Sequence, residues 1–245
     1  GIAYAVQYEG SIVDVLEGTY DLISEFGSDY FESLNSSSSE LSGIQIGNGI
    51  TINFSPKSKV VCHYTGSNQY ARIKFSPFNM MPGSRGFTLC GLNLVCSNVR
   101  YAVHDECNAN SAYYENTYID CKMSKDNSQA TGWLNPLVIG GGLGQNGRIE
   151  IIRCYFNSET IPPYTTGKSV NYHNASPAGS QSALYVTDCY FDGAYTCGVS
   201  YYGASTEITE MHVSGCSLPA EPYINREGSA TIENVAIRKF NNEIR

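Results

Sequence analysis

The densest cluster of groups able to do acid–base chemistry in this chain is His104-Asp105-Glu106, followed by Glu115 and Asp120. Paired carboxylates cleave glycosidic bonds when they stand about 5 to 5.5 Å apart, with retention, or about 6.5 to 9.5 Å apart, with inversion. In that chemistry Glu106 is the candidate general acid, Asp105 or Asp120 the candidate base, and His104 the group that tunes or positions them. Adjacent strand residues point to opposite faces, so Asp105 and Glu106 can face one another only across a bend. Elimination from a sugar acid is the competing chemistry, and it needs a base near C5 and a cation against the substrate carboxylate. Lys168, Arg226 and Arg238 are candidate bases, and Asp188 and Asp192 candidate calcium ligands, but no arginine-and-aspartate cluster falls on one strip. Hydrolysis is therefore favoured over elimination. It calls for no cofactor, and calcium enters only with a lyase. Recognition without catalysis draws on Tyr155, Tyr190, His173, Tyr202 and Glu227, because aromatic rings stack on sugars and polar tips bond their hydroxyls. Thr166-Gly-Lys-Ser169 has the ending of a phosphate loop, but Pro162 stands where its first glycine belongs.

These residues are ordered by a repeat. Cys121, Cys154, Cys189 and Cys216 share an environment: an apolar residue lies three positions before each (Tyr118, Ile151, Val186, Val213) and another two positions after (Met123, Phe156, Phe191, Leu218). The template extends back to Leu89, Leu92 and Leu94 and forward to Ile232, Val235 and Ile237. Its internal two-residue break reads as a bend, after which the strand period of two returns. Intervals of 29, 33, 35, 27 and 19 residues between equivalent positions fit coils that keep their strands and vary their loops. A second, shorter strand recurs between copies, at 101–106, 136–140, 169–173, 198–202 and 222–226. Two strands and variable turns per coil predict a parallel β-helix, an all-β fold in which each coil pairs with the coils above and below. Aligning the short strands puts His104, Asn171, Ser200 and Asn225 in one outward column, and Glu106, His173, Tyr202 and Glu227 two positions further, with Gly140-Gly-Gly142 as a shallow floor. The loops 126–135 and 158–167 are the expected walls of a groove.

Ahead of the repeat, residues 1–10 are expected to form a short helical cap, Ser11–Asp21 a strand, and 28–43 an exposed loop around Ser36–Ser39. Further strands are expected at 44–46, 50–54, 60–61 and 73–75. The whole of 1–245 reads as a single domain, and the opening Gly1-Ile2-Ala3-Tyr4 as a cut within a longer chain.

Composition narrows the partners. A formal charge of -8, with 23 acidic against 15 basic residues and no basic run, argues against nucleic acid, whose binding needs clustered lysine and arginine. No apolar run approaches the length that inserts into a bilayer. Nine cysteines cannot all pair, and without a C-x-x-C they read as small buried hydrophobes forming a packed column.

With the segment Ile12-Val-Asp-Val-Leu-Glu-Gly-Thr-Tyr-Asp-Leu22 leading into these coils, the chain resembles the pectate-lyase-like right-handed β-helix superfamily, most of all bacteriophage tailspike and tail-appendage proteins. That resemblance implies a homotrimer on a virion tail, folded in the host cytoplasm, that binds and in some relatives degrades cell-surface polysaccharide. A bacterial carbohydrate-active enzyme, secreted or at the cell surface, is the alternative expectation, and a noncatalytic structural segment the third.

Overall fold

A computed structural model describes residues 8–40, 42–81, 84–105, 114–126, 139–141, 146–158, 168–174, 181–193, 197–203, 210–217, 224–228 and 235–239. The strands, numbered along the chain, form three parallel sheets. The first holds β1 (Ile12–Val15), β4 (Ile50–Phe54), β7 (Gly86–Cys90), β10 (Tyr114–Ile119), β13 (Asn146–Ile152), β16 (Gln181–Thr187), β19 (Glu210–Cys216) and β21 (Val235–Lys239). The second holds β2 (Gly18–Asp21), β5 (Ser58–His63), β8 (Asn93–Ser97), β11 (Lys122–Asp126), β14 (Tyr155–Ser158) and β17 (Tyr190–Gly193). The third holds β3 (Ser42–Ile46), β6 (Phe75–Met80), β9 (Val103–Asp105), β12 (Ile139–Gly141), β15 (Lys168–Asn174), β18 (Cys197–Gly203) and β20 (Ile224–Gly228). Through β16, each strand pairs in parallel with the strand three further on, so the chain visits the three sheets in turn and stacks coil on coil. This all-β arrangement is compatible with a parallel β-helix.

The repeat read from the cysteines is reproduced in the pairing. Leu89, Tyr118, Ile151, Val186 and Val213 occupy one ladder column of the first sheet, and Leu94, Met123, Phe156 and Phe191 one column of the second. All nine are buried, and their inward stacking is the core. Each such side chain contributes roughly 1.5 to 3 kcal/mol on burial, which is what fixes the inward register against a one-residue slip.

Three strands per coil, not two, is the main correction to the sequence reading. The two-residue break is a corner between two sheets, because a left-handed residue stands at the end of each β7-type strand: Gly91, Asp120, Arg153 and Asp188, just after β7, β10, β13 and β16, have φ of 72°, 53°, 51° and 54°, and Gly215, near the end of β19, has 67°. One such residue turns the strand, and the backbone bonds continue around it, as from Asp120 N to Ile152 O at 3.0 Å and from Arg153 N to Thr187 O at 2.9 Å. The last copy is also out of the expected register, since Val213 pairs with Ile237 and Met211 with Val235. Ile237 thus takes the place expected of Ile232. Ser11–Asp21 divides into β1 and β2 at its own corner.

Three short helices lie among the described residues: α1 (Leu22–Phe26), α2 (Ser28–Ser33) and α3 (Gln69–Lys74). Asp21 caps α1 by accepting from Ile23 N at 3.0 Å. The exposed loop expected at 28–43 is instead α2 followed by a turn. Phe31 is fully buried and its ring centroid lies 4.6 Å from that of Phe75, while the Asn68 amide donates to the carbonyls of Phe31 and Leu34 at 2.8 Å. The expectation of exposure is met over most of the segment, including Ser36, Ser37 and Ser39, while Phe31 and Leu34 are buried. Ile73 belongs to α3, and the strand begins at Phe75. Of the expected cap, residues 1–7 lie outside the described residues and 8–10 form a turn.

Candidate functional site

On β9 the side chains alternate: Val103 and Asp105 face the core, and His104 faces the opposite side. His104 is nonetheless buried: its Nδ1 lies 3.1 Å from Glu40 O and its ring 5.1 Å from that of Tyr101. Glu40 is itself held by ion pairs with Arg100 at 2.5 Å and Lys74 at 3.3 Å. Partial burial acts to raise its carboxyl, but the two cations outweigh burial and hold it below the ordinary value.

Asp105 is fully enclosed. The Tyr118 hydroxyl donates to its Oδ2 at 2.7 Å and the Asn116 amide to its Oδ1. Burial pushes its carboxyl up to about 6, against the opposing pull of those two donors. Asp120 stands instead outside the corner, half exposed, and receives both guanidinium bonds of Arg153 at 2.7 and 2.8 Å. That pairing holds its carboxyl below the ordinary value. Of the two candidate bases for Glu106, Asp105 thus lies in the core and Asp120 outside the corner. Strand alternation is the reason: it sends Asp105 inward, where only acceptor roles are open to it. Glu106 lies outside the described residues.

The expected binding residues fall into two columns. His173, Tyr202 and Glu227 share one ladder position of the third sheet, and Asn171, Ser200 and Asn225 share another, with Gly140 between His104 and Asn171. The side chains of these residues, other than His104, are outside the described set. Tyr155 and Tyr190 stack on the outer face of the second sheet, with centroids 5.6 Å apart and planes 5° from parallel. The Lys122 ammonium covers the other face of Tyr155 at 5.5 Å, and the Tyr155 hydroxyl donates to Asp192 at 2.9 Å. Burial, reinforced by that carboxylate, pushes the phenol up to about 12. Both faces of Tyr155 are thus taken, so what this column offers a ligand is ring edges and polar tips. The loops expected as groove walls fall largely outside the described residues. Asp188 and Asp192, expected as calcium ligands, are apart, Asp188 at the corner near Arg153 and Asp192 on Tyr155. Among the described residues no group of three metal-ligating side chains converges.

Sequence reading missed the outer face of the first sheet. Glu115 and Thr117 on β10 pair with Arg148 and Glu150 on β13, and Glu150 continues in register to Tyr185 and His212. Arg148 pairs with Glu150 and lies 4.3 Å above the Tyr185 ring, which stacks on His212 at 4.9 Å and 5°. Glu115, Asn116, Thr117, Arg148 and Glu150 line a shallow cleft of about 300 Å³. Glu115 and Glu150 sit one strand and two residues apart, which for strands about 4.8 Å apart rising about 3.3 Å per residue puts their Cα atoms about 8 Å apart. The signal was present: Arg148 and Glu150 alternate with the buried Ile149 and Ile151, so both must face outward. A larger, mostly apolar cavity of about 860 Å³ is lined by Val13, Leu22, Ile44, Phe54 and Phe78, among other described residues.

No protein-family model, no curated protein and no solved structure gives a match to this chain.

Proposed function

We propose that this protein is a right-handed parallel β-helix of the tailspike kind that recognises an extended polysaccharide along its outer faces. Right-handedness follows from the rule for parallel crossovers. The observation that carries the functional reading is the outer face of the first sheet, where carboxylate, hydroxyl, guanidinium and aromatic groups recur at one-coil spacing around an open cleft. A repeat of about 4.8 Å is on the scale of one sugar ring. Arg148 and the two glutamates can each bond neighbouring hydroxyls, and an overall acidic chain suits a neutral glycan better than an anionic one. Calorimetric titration with neutral bacterial surface polysaccharides tests this reading. Glu115→Ala or Arg148→Ala should weaken binding about tenfold, the loss of roughly 1.4 kcal/mol. Binding unaffected by both, or no binding by any neutral glycan, would overturn it.

Hydrolysis is the second reading, favoured by the placement of Glu115 and Glu150 on one open face. Release of reducing ends that is lost in both Glu115→Gln and Glu150→Gln would support it. The proposal extends to a homotrimer on a virion tail, and the molecular mass in solution tests the trimer directly.

A further inference from the structure

The net charge of this chain sits at one end of the stack. Residues 1–56 hold eight carboxylates and no lysine or arginine, and the remainder carries 15 of each sign, so the whole excess of -8 falls on the segment from Glu9 to Glu40 that builds the first coil, β1 to β3. Three of the eight are paired with cations, Glu9 with Arg85 at 2.7 Å, Glu17 with Lys57 at 3.5 Å and Glu40 with Lys74 and Arg100. The same end is apolar. Tyr8, Ile12 and Leu16, 52 to 73% exposed, are the large apolar side chains left in water among the described residues. Val13 and Val15 are only partly buried, whereas Ile52 and Leu89, which continue the Val13 column, are fully so. These two valines and Ile44 line the cavity of about 860 Å³, which is within the roughly 300 to 1,000 Å³ of ligand pockets, together with the carboxylates Asp14 and Glu25. Asp14 accepts from the Asn53 amide at 3.0 Å, and neither carboxylate meets a lysine or arginine among the described residues. Among those residues β1 also ends its sheet, with β4 as its one neighbour. Thr51 N donates to Ser11 O at 3.0 Å and Ser55 N to Val15 O at 2.9 Å, so strand alternation turns the backbone groups of Ile12 and Asp14 to the opposite side.

We propose that this end of the stack docks a basic, strand-forming segment of a partner polypeptide, which adds to β1 and seats its apolar side chains in the cavity. An added strand bonds the backbone of Ile12 and Asp14 and sends alternate side chains to the two faces of the sheet. Those on the inner face continue the Val13 and Val15 columns over the cavity. Those on the outer face meet Ile12, Asp14 and Leu16, where a lysine or arginine reaches a carboxylate with its head and covers exposed apolar surface with its stem. Charge decides between occupants. The first coil of a second copy brings another eight carboxylates, and residues 1–7, which carry no charged side chain, leave Asp14 and Glu25 uncompensated. A basic strand matches both the apolar centre and the acidic rim. The surface is the edge of the stack and not its outer faces, so it is independent of glycan recognition.

The probe is an acetylated and amidated peptide of alternating lysine and valine, about seven residues long, with a glutamate–valine peptide of equal length as control. Fluorescence anisotropy with the native full chain should show saturable binding of the lysine peptide alone, weakened about tenfold between about 50 and 300 mM salt. Amide exchange should slow at Ile12 and Asp14 when that peptide is bound. Glu25→Lys and Leu16→Ser, both at exposed positions, should each weaken binding about fivefold. No binding, equal binding of the two peptides, protection outside the first coil, or affinity unchanged in both variants would overturn the proposal. Protection of Ile12 and Asp14 that rises with protein concentration in the absence of peptide gives the surface to a second copy. Binding that appears only after deletion of residues 1–7 gives it to that segment, and either result also overturns the proposal. The contrast between the two peptides on the wild-type chain is decisive even if a variant fails to fold.

Discussion

Asp105 shows what an interior carboxylate does to a stack of this kind. Its two donors satisfy it in the ionised form, yet removal from water costs more than they return, and its carboxyl titrates at about 6. Because the folded value lies above the unfolded one, this group's contribution to stability is complete below about pH 4 and is lost as pH rises through 6. Urea midpoints at pH 4.5 and 7.5 should differ by the equivalent of about 2 kcal/mol from this group, the lower pH being the more stable. Asp105→Asn should remove most of that difference, and an unchanged pH slope in the variant would sink the argument. The inward setting was legible in the alternation around Val103, but the acidic run beside it suggested a surface cluster. What sequence could not supply was Tyr118 and Asn116 as donors, since both arrive from a different sheet.

At the scale of single elements, the corners and the close approaches of neighbouring coils decide the shape. Gly86, at φ 108°, and Gly147 stand where coils crowd: a Cβ on Gly86 would lie 1.9 Å from Glu115 O, and one on Gly147 2.1 Å from the buried Tyr114 ring. Gly147→Ala should destabilise by about 1 to 3 kcal/mol or more, since the ring has no empty space to enter, and equilibrium urea unfolding measures it. Gly86→Ala, which meets backbone, should be worse. Gly91→Ala keeps a left-handed corner without a glycine and should cost about 1 to 2 kcal/mol in the same assay. These corners also explain how far the repeat could be read. From Leu89 onward a single left-handed residue makes the turn, so the template keeps its spacing and stands out. In the preceding coil eight residues separate the matching Ile52 and Val60, against five between Leu89 and Leu94, and the same columns pass unrecognised. Likewise α2 has too short an apolar pattern to announce itself, and it is helical because Phe31 finds the aromatic pocket of Tyr64 and Phe75.

Across the whole molecule, three sheets share one interior, and most contacts join a coil only to its neighbours. Stability should therefore be local. Leu89→Ala, at the middle of a buried column, should cost about 2 to 5 kcal/mol in global unfolding, but amide exchange should loosen chiefly in β4, β7 and β10, the strands that flank it. Uniform loosening from β4 to β19 would show that the coils act as one unit. The parallel pairing has a mechanical corollary. Its backbone hydrogen bonds run along the stacking direction, so a pull on the two ends loads the interface between one coil and the next and opens it bond by bond. With coils of 29, 33, 35 and 27 residues between the corner positions from Leu92 to Cys216, each detachment would release roughly 10 nm of chain at about 3.4 Å per residue. Under tension the protein would then behave as a ratchet of unequal teeth, paying out its length in steps whose sizes follow the coil lengths.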